Sequence, residues 1–163
     1  MVNNMNQKNL SKWLKFITIL VTIMLTIVIF MIIPAVGRDI VCVNPECSGW
    51  YMPWLLFVWM LGIPCYLVLF IFWGICDEIK KDNSFSIQNA KALSKISKLA
   101  LLDSVICFVG VTVFGILGWI HFLIVIIAVF TILCGVAIAV IAAALGHLVQ
   151  KASKIKDEND LTI

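Results

Sequence analysis

FITILVTIMLTIVIFMIIPAV, residues 16–36, runs for 21 residues without a charged side chain. At ~1.5 Å of rise per residue, a helix of that length crosses the ~30 Å hydrocarbon layer of a bilayer. Lys12 and Lys15 precede it, as they would precede a signal peptide. The run exceeds the ~7–15 apolar residues of such a leader, so a retained membrane anchor is the simpler reading. Three further apolar runs follow at 54–75, 99–117 and 120–145. Gly118 and Trp119 alone separate the last two, which makes them an antiparallel hairpin. The composition agrees, with 63% apolar and 13% charged residues against ~45–50% and ~25% in soluble proteins. A water-soluble core has no room for that excess. The expected fold is an all-α membrane protein with four transmembrane helices in a single domain, 1–163.

Eleven of the twelve Lys and Arg residues fall into three clusters: Lys8, Lys12 and Lys15; Lys80, Lys81, Lys91, Lys95 and Lys98; and Lys151, Lys154 and Lys156. Only Arg38 lies elsewhere. By the positive-inside rule this predicts an N-in, C-in topology with a cytoplasmic loop at 76–98 and a cytoplasmic tail at 147–163. Residues 37–53 and 118–119 are then the outer loops. Tryptophan prefers the headgroup level, where its ring is buried and its N–H stays hydrogen-bonded. Trp13 and Trp73 accordingly mark the inner edge, and Trp50, Trp54 and Trp119 the outer one.

The central loop, DEIKKDNSFSIQNAKALSKISK (77–98), contains a helix that Ser86 can cap. Ala92, Leu93, Ile96, Leu99 and Ala100 form its apolar stripe, and Lys91, Lys95 and Lys98 lie on the other face with Gln88. This is an amphipathic extension that leads straight into the third span, with its lysines at headgroup level. The tail ends on Asp160, Leu161, Thr162 and Ile163, either a solvated end or a short peptide for a partner to capture.

Asn83-Ser84-Phe85-Ser86-Ile87-Gln88-Asn89-Ala90-Lys91-Ala92-Leu93, the four-span layout and the closing Glu158-Asn159-Asp160-Leu161-Thr162-Ile163 resemble the bacterial membrane family named domain of unknown function 2975. The resemblance implies a multi-pass protein of the bacterial cytoplasmic membrane. Members are commonly encoded beside a small helix-turn-helix protein, so it also implies the membrane component of a regulatory pair. The family brings no catalytic residues with it.

Other candidate chemistry is sparse. Cys42 and Cys47 flank Val-Asn-Pro-Glu, a segment that could turn back to let them form a disulfide; free thiols are the alternative. Cys65, Cys107 and Cys134 sit at mid-membrane depth on three spans, where small apolar packing explains them. His121 and His147 are ~39 Å apart along one helix, too far for a shared metal. Asp103 is the one acidic residue inside a span, about one turn past its inner edge, with Ser104, Lys15, Lys95 and Lys98 as candidate partners. Gly62 and Pro64 break the second span. Gly135, Ala139 and Ala143 recur every four residues, a smooth stripe for packing within the chain or for a homodimer.

No nucleophile elbow, zinc motif or phosphate loop is present, so neither catalysis, a cofactor, a metal nor direct nucleic-acid binding is expected. The expected function is non-enzymatic: a lipid-embedded protein that binds or modulates a small cytoplasmic helix-turn-helix regulator through Lys91, Lys95, Lys98 and the tail. A small transporter or pore subunit, and an immunity protein against a membrane-active peptide, are the alternatives.

Overall fold

The computed structural model describes residues 7–160, apart from the side chains of Cys47, Asp157, Asn159 and Asp160. Four stretches are long and apolar enough to cross a membrane: Gln7–Val43, Ser48–Lys80, Ile87–Ile116 and Phe122–Lys156. The first combines α1 (Gln7–Ile27), a wider π-helical turn (Val28–Ile32) and α2 (Ile33–Val43). In that turn the Ile33 N–H donates to Val28 O, five residues back. Pro34 follows directly and lacks the N–H that would continue the α ladder, so the helix locally re-registers instead of breaking. Residues 37–53, expected as a loop, are helical for most of their length. Ile40, Val41 and Val43 continue α2, and Pro45–Trp50 then adds a 3₁₀ segment that leads into α3 (Tyr51–Lys80).

α3 and α4 (Ile87–Ile116) each have 30 residues and lie antiparallel, joined by residues 81–86. As expected, the Ser86 hydroxyl caps α4 by accepting from Asn89 N at 3.2 Å. The Asn89 side chain also donates to the carbonyls of Asn83 (3.3 Å) and Ser84 (2.9 Å). Asn83 Nδ2 in turn donates to Glu78 Oε2 at 2.8 Å. The polar motif around Phe85 is therefore a clamp that fixes the angle between α3 and α4. Gly118, at φ +71, ends the next turn before α5 (Phe122–Asp160).

The helices form an open row. α1 packs on α3, α3 on α4 and α4 on α5; among the described residues α1 and α5 make no close backbone approach. The contact surfaces are small and the lipid-facing ones large: Ala90, Ala100, Cys107, Ala128, Ala139 and Ala142 are buried while Phe70, Ile116, Phe122 and Phe130 are exposed. Lipid tails are as apolar as leucine, so helices in a bilayer gain by close approach rather than by hiding bulk. On α5 the residues turned inward are 128, 132, 135, 139, 142, 146, 149 and 153, an alternation of four and three. Two helices in contact over many turns follow a 3.5-residue repeat. The seam thus takes Gly135 and Ala139 against α4 inside the monomer and passes to Ala142, leaving Ala143 exposed.

One end of the row is basic. There Ser11 Oγ donates to Cys76 O at 2.6 Å, Ser84 meets Gln7, and Gly146 lies against Ala90 and Leu93. At the other end Trp50 and Trp119 stack with centroids 5.5 Å apart, and the Tyr51 hydroxyl donates to Pro34 O at 3.2 Å.

The apolar side of 87–98 faces protein rather than headgroups. Ile96 is buried with Ile75 and Ala142, and Ala92 and Leu93 pack against that cluster. Lys91, Lys95 and Lys98 remain exposed, as expected.

Candidate functional site

A cavity of about 460 Å³ lies in the row, walled by residues of α1, the π turn, α2, α3, α4 and α5. It exists because its walls are irregular or thin. Val28, Ile29 and Ile32 of the π turn form one side, and Ile29 seats against Gly62 of α3. Gly62 lies two residues before Pro64, where the helix ladder loses another hydrogen bond, although α3 remains helical through that point. The absence of an α1–α5 contact leaves the far side open.

The lining is apolar except for Asp103, Thr131 and the thiols of Cys65 and Cys107. Asp103 Oδ2 accepts a long bond from Cys65 Sγ at 3.8 Å. Its Oδ1 is buried without any hydrogen-bond partner. A carboxylate in this position costs free energy that a thiol donor returns only in small part.

The partner of Asp103 differs from those the sequence suggested. Asp103 bonds to Cys65, which lies eight residues, ~12 Å, from Trp73 and eleven residues, ~16 Å, from Trp54 along α3. The sequence expectation places these tryptophans at the two membrane edges, with the Cys65–Asp103 contact between them. The sequence reading started the third span at Leu99. The structure runs residues 87–98 alongside α3 within the bundle, with Ile96 packed on Ile75. None of the expected partners takes Asp103. Lys15 Nζ pairs with Asp77 Oδ1 at 2.5 Å and lies 4.7 Å from the Trp73 ring centroid. Ser104 Oγ donates to Ala100 O at 2.9 Å.

A second, smaller space of about 120 Å³ lies at the aromatic end, lined by Gly37, Asn44, Trp50, Tyr51 and His121 among others. It shares Ile40, Trp54, Trp119, Ile120 and Ile124 with the large cavity.

The family model described as "Protein of unknown function (DUF2975)" matches residues 35–163, well over half of the chain. The chain belongs to the DUF2975 family. It is also similar to the uncharacterized membrane protein YoaS of Bacillus subtilis (strain 168), at 29% identity over 155 residues, covering 93% of this chain and 96% of that one. No solved structure matches. With four apolar spans and a bacterial relative that is a membrane protein, this DUF2975 protein is a multi-pass protein of a bacterial membrane, in contact with lipid. The family match takes in the α3, α4 and α5 walls of the cavity. The α1 wall precedes it but lies within reach of the Bacillus relative's longer alignment.

Other sequence candidates of this DUF2975 chain stay apart. Cys65 and Cys107 share the cavity, but Cys134 is exposed on α5. Among the described residues no three His, Cys, Asp or Glu side chains are grouped to hold a metal ion. His121 lies just before α5 and His147 about two-thirds of the way along it. Cys42 is exposed on the last turn of α2; the Cys47 side chain lies outside the described residues, and with it the Cys42–Cys47 pairing. The side chain of Asp160 and all of Leu161, Thr162 and Ile163 also lie outside them. At the basic end the Glu78 carboxylate, hydrogen-bonded to Lys81 at 2.9 Å, raises the pKa of that lysine.

Sequence reasoning finds Asp103 but not its setting. It reads Cys65 only as packing, and Thr131 and the π turn escape it, since thiols, threonines and apolar residues are ordinary inside spans. Two of them lie next to a proline: Pro34 follows the π turn and Pro64 precedes Cys65.

Proposed function

We propose that this DUF2975 protein is a non-enzymatic membrane receptor subunit that holds or modulates a small cytoplasmic helix-turn-helix transcription regulator. The cavity is its input and the exposed lysine face of α4 is its output. One observation supports the coupling: α4 is unbroken from Ile87 to Ile116, with Asp103 in the cavity and Lys91, Lys95 and Lys98 on the exposed side of its first turns. A rigid helix that is displaced or rotated at one end moves at the other. The clamp of Asn83, Ser84, Ser86 and Asn89 ties the same helix to the α3–α4 loop, so that loop moves with it.

In this reading both termini and residues 76–98 are cytoplasmic, where the lysine clusters meet the regulator. A cysteine placed at Ser94 should react with an impermeant maleimide only after the cells are opened. Strong labelling of intact cells would invert the topology and end the proposal.

Charge carries the contact. Replacing Lys91, Lys95 and Lys98 together with glutamine should weaken co-purification of the neighbouring regulator about tenfold at 0.15 M salt, and the wild-type complex should also loosen as salt rises. Deleting residues 160–163 should add to the loss while leaving membrane insertion unchanged. Full retention of both the complex and its reporter output in the combined variant would refute the docking surface. The cavity favours one second reading, a small transporter subunit, and would then take the transported solute.

A further inference from the structure

We infer that the mid-membrane cavity binds a lipophilic cation, a protonated amine carrying an apolar body, with its N–H group at Asp103. Four observations lead there. At about 460 Å³ the space is of small-molecule size, within the ~300–1,000 Å³ of typical ligand sites. Apolar side chains form nearly all of its wall, which calls for a hydrocarbon body. Asp103 Oδ1 is buried and unpartnered while Oδ2 has only a long thiol contact, which calls for a hydrogen-bond donor of positive charge. No Lys, Arg or His lines the cavity, and Lys15, one of the partners the sequence suggested, is committed to Asp77 and Trp73. The site thus holds one carboxyl oxygen without its complement.

Other occupants leave these features unexplained. A hard cation such as Ca2+ needs about six or more oxygen ligands and finds one carboxylate, and among the described residues no three His, Cys, Asp or Glu side chains are grouped for a softer metal. A neutral acyl chain fills the hydrocarbon space and abandons Oδ1. An amine satisfies both. Trp54, Phe57, Phe114 and Trp119, which line the same cavity, offer ring faces along which a cation can approach. The gap between α1 and α5 and the aromatic vestibule give it two routes, one from the lipid and one from the outer surface.

This assignment deepens the receptor reading and rests on it for its biological consequence. Binding itself is measured on the isolated protein, so failure there and failure of the regulator contact are distinguishable.

The test is equilibrium dialysis of radiolabelled decylammonium against the full chain in phosphatidylcholine nanodiscs, with empty nanodiscs subtracted. Saturable binding near one per chain is expected. Asp103→Asn should weaken it at least tenfold, the scale of a lost charge-assisted hydrogen bond. Decanol, with the same chain and no charge, should compete poorly with decylammonium. Val111→Trp, which fills the cavity and leaves Asp103 in place, should abolish the site; it decides the matter should Asp103→Asn fail to fold. No saturable excess over empty nanodiscs, equal binding by folded Asp103→Asn, equal competition by decanol, or undiminished binding in folded Val111→Trp would each overturn the assignment.

Discussion

Gly146→Leu is expected to lower the unfolding temperature of the protein in detergent by roughly 6–12 °C. A Cβ at this position would lie 3.3 Å from Leu93 Cβ, 3.4 Å from Ala90 O and 3.5 Å from Ser94 N. Two of those atoms belong to the α4 backbone and cannot swing aside. A single methyl is accommodated by a small shift, so Gly146→Ala should remain within ~1 kcal/mol, helped by the better helix propensity of alanine. Leucine adds three more carbons to a seam without space and must push α4 from α5. Overpacking on this scale costs about 3 kcal/mol, and chains of this size lose ~2–4 °C per kcal/mol. Differential scanning fluorimetry on the two variants and the wild type measures it. A leucine variant melting within 2 °C of the wild type would mean that the α4–α5 seam is not the close contact described.

That seam also marks the boundary of what the sequence discloses. The four spans, the Ser86 cap and the continuity from the central loop into the third span follow from apolar run length, lysine clusters and one capping signal, all of them local. Register between helices is not local. The sequence reading of Gly135, Ala139 and Ala143 uses a repeat of four. The structure follows four and three, because only the presence of α4 alongside decides which repeat is used. Asp103 was legible as an oddity, since charge inside a span is costly wherever it falls. Its contact with Cys65 and its unpartnered Oδ1 were not, because both depend on how α4 packs along α3. The cavity itself has no sequence signature beyond Pro34, Gly62 and Pro64, each of which reads equally well as a simple bend.

Asp103→Leu is expected to raise stability and to silence the protein. An aspartate at the centre of a membrane helix costs ~2.5–3.5 kcal/mol on insertion scales. The 3.8 Å contact from Cys65 returns little of this. A leucine meets the apolar walls of a cavity with room for it, so about 1–3 kcal/mol of stability should appear, or roughly 2–12 °C in unfolding temperature. A residue retained for packing would behave in the opposite way, since its loss would leave the bundle weaker. Sites kept for function at a cost in stability show this inverse sign. Reporter output from the regulator's promoter should become independent of any added ligand, while the amount of protein in the membrane stays the same or increases.

The central claim is that Asp103 is held in the bilayer interior for binding and signalling rather than for the fold. The unfolding temperature of purified Asp103→Leu against the wild type tests it most directly, in the same detergent and without ligand. A rise of several degrees is the predicted result; a fall would identify Asp103 as a structural group of the bundle and contradict the account.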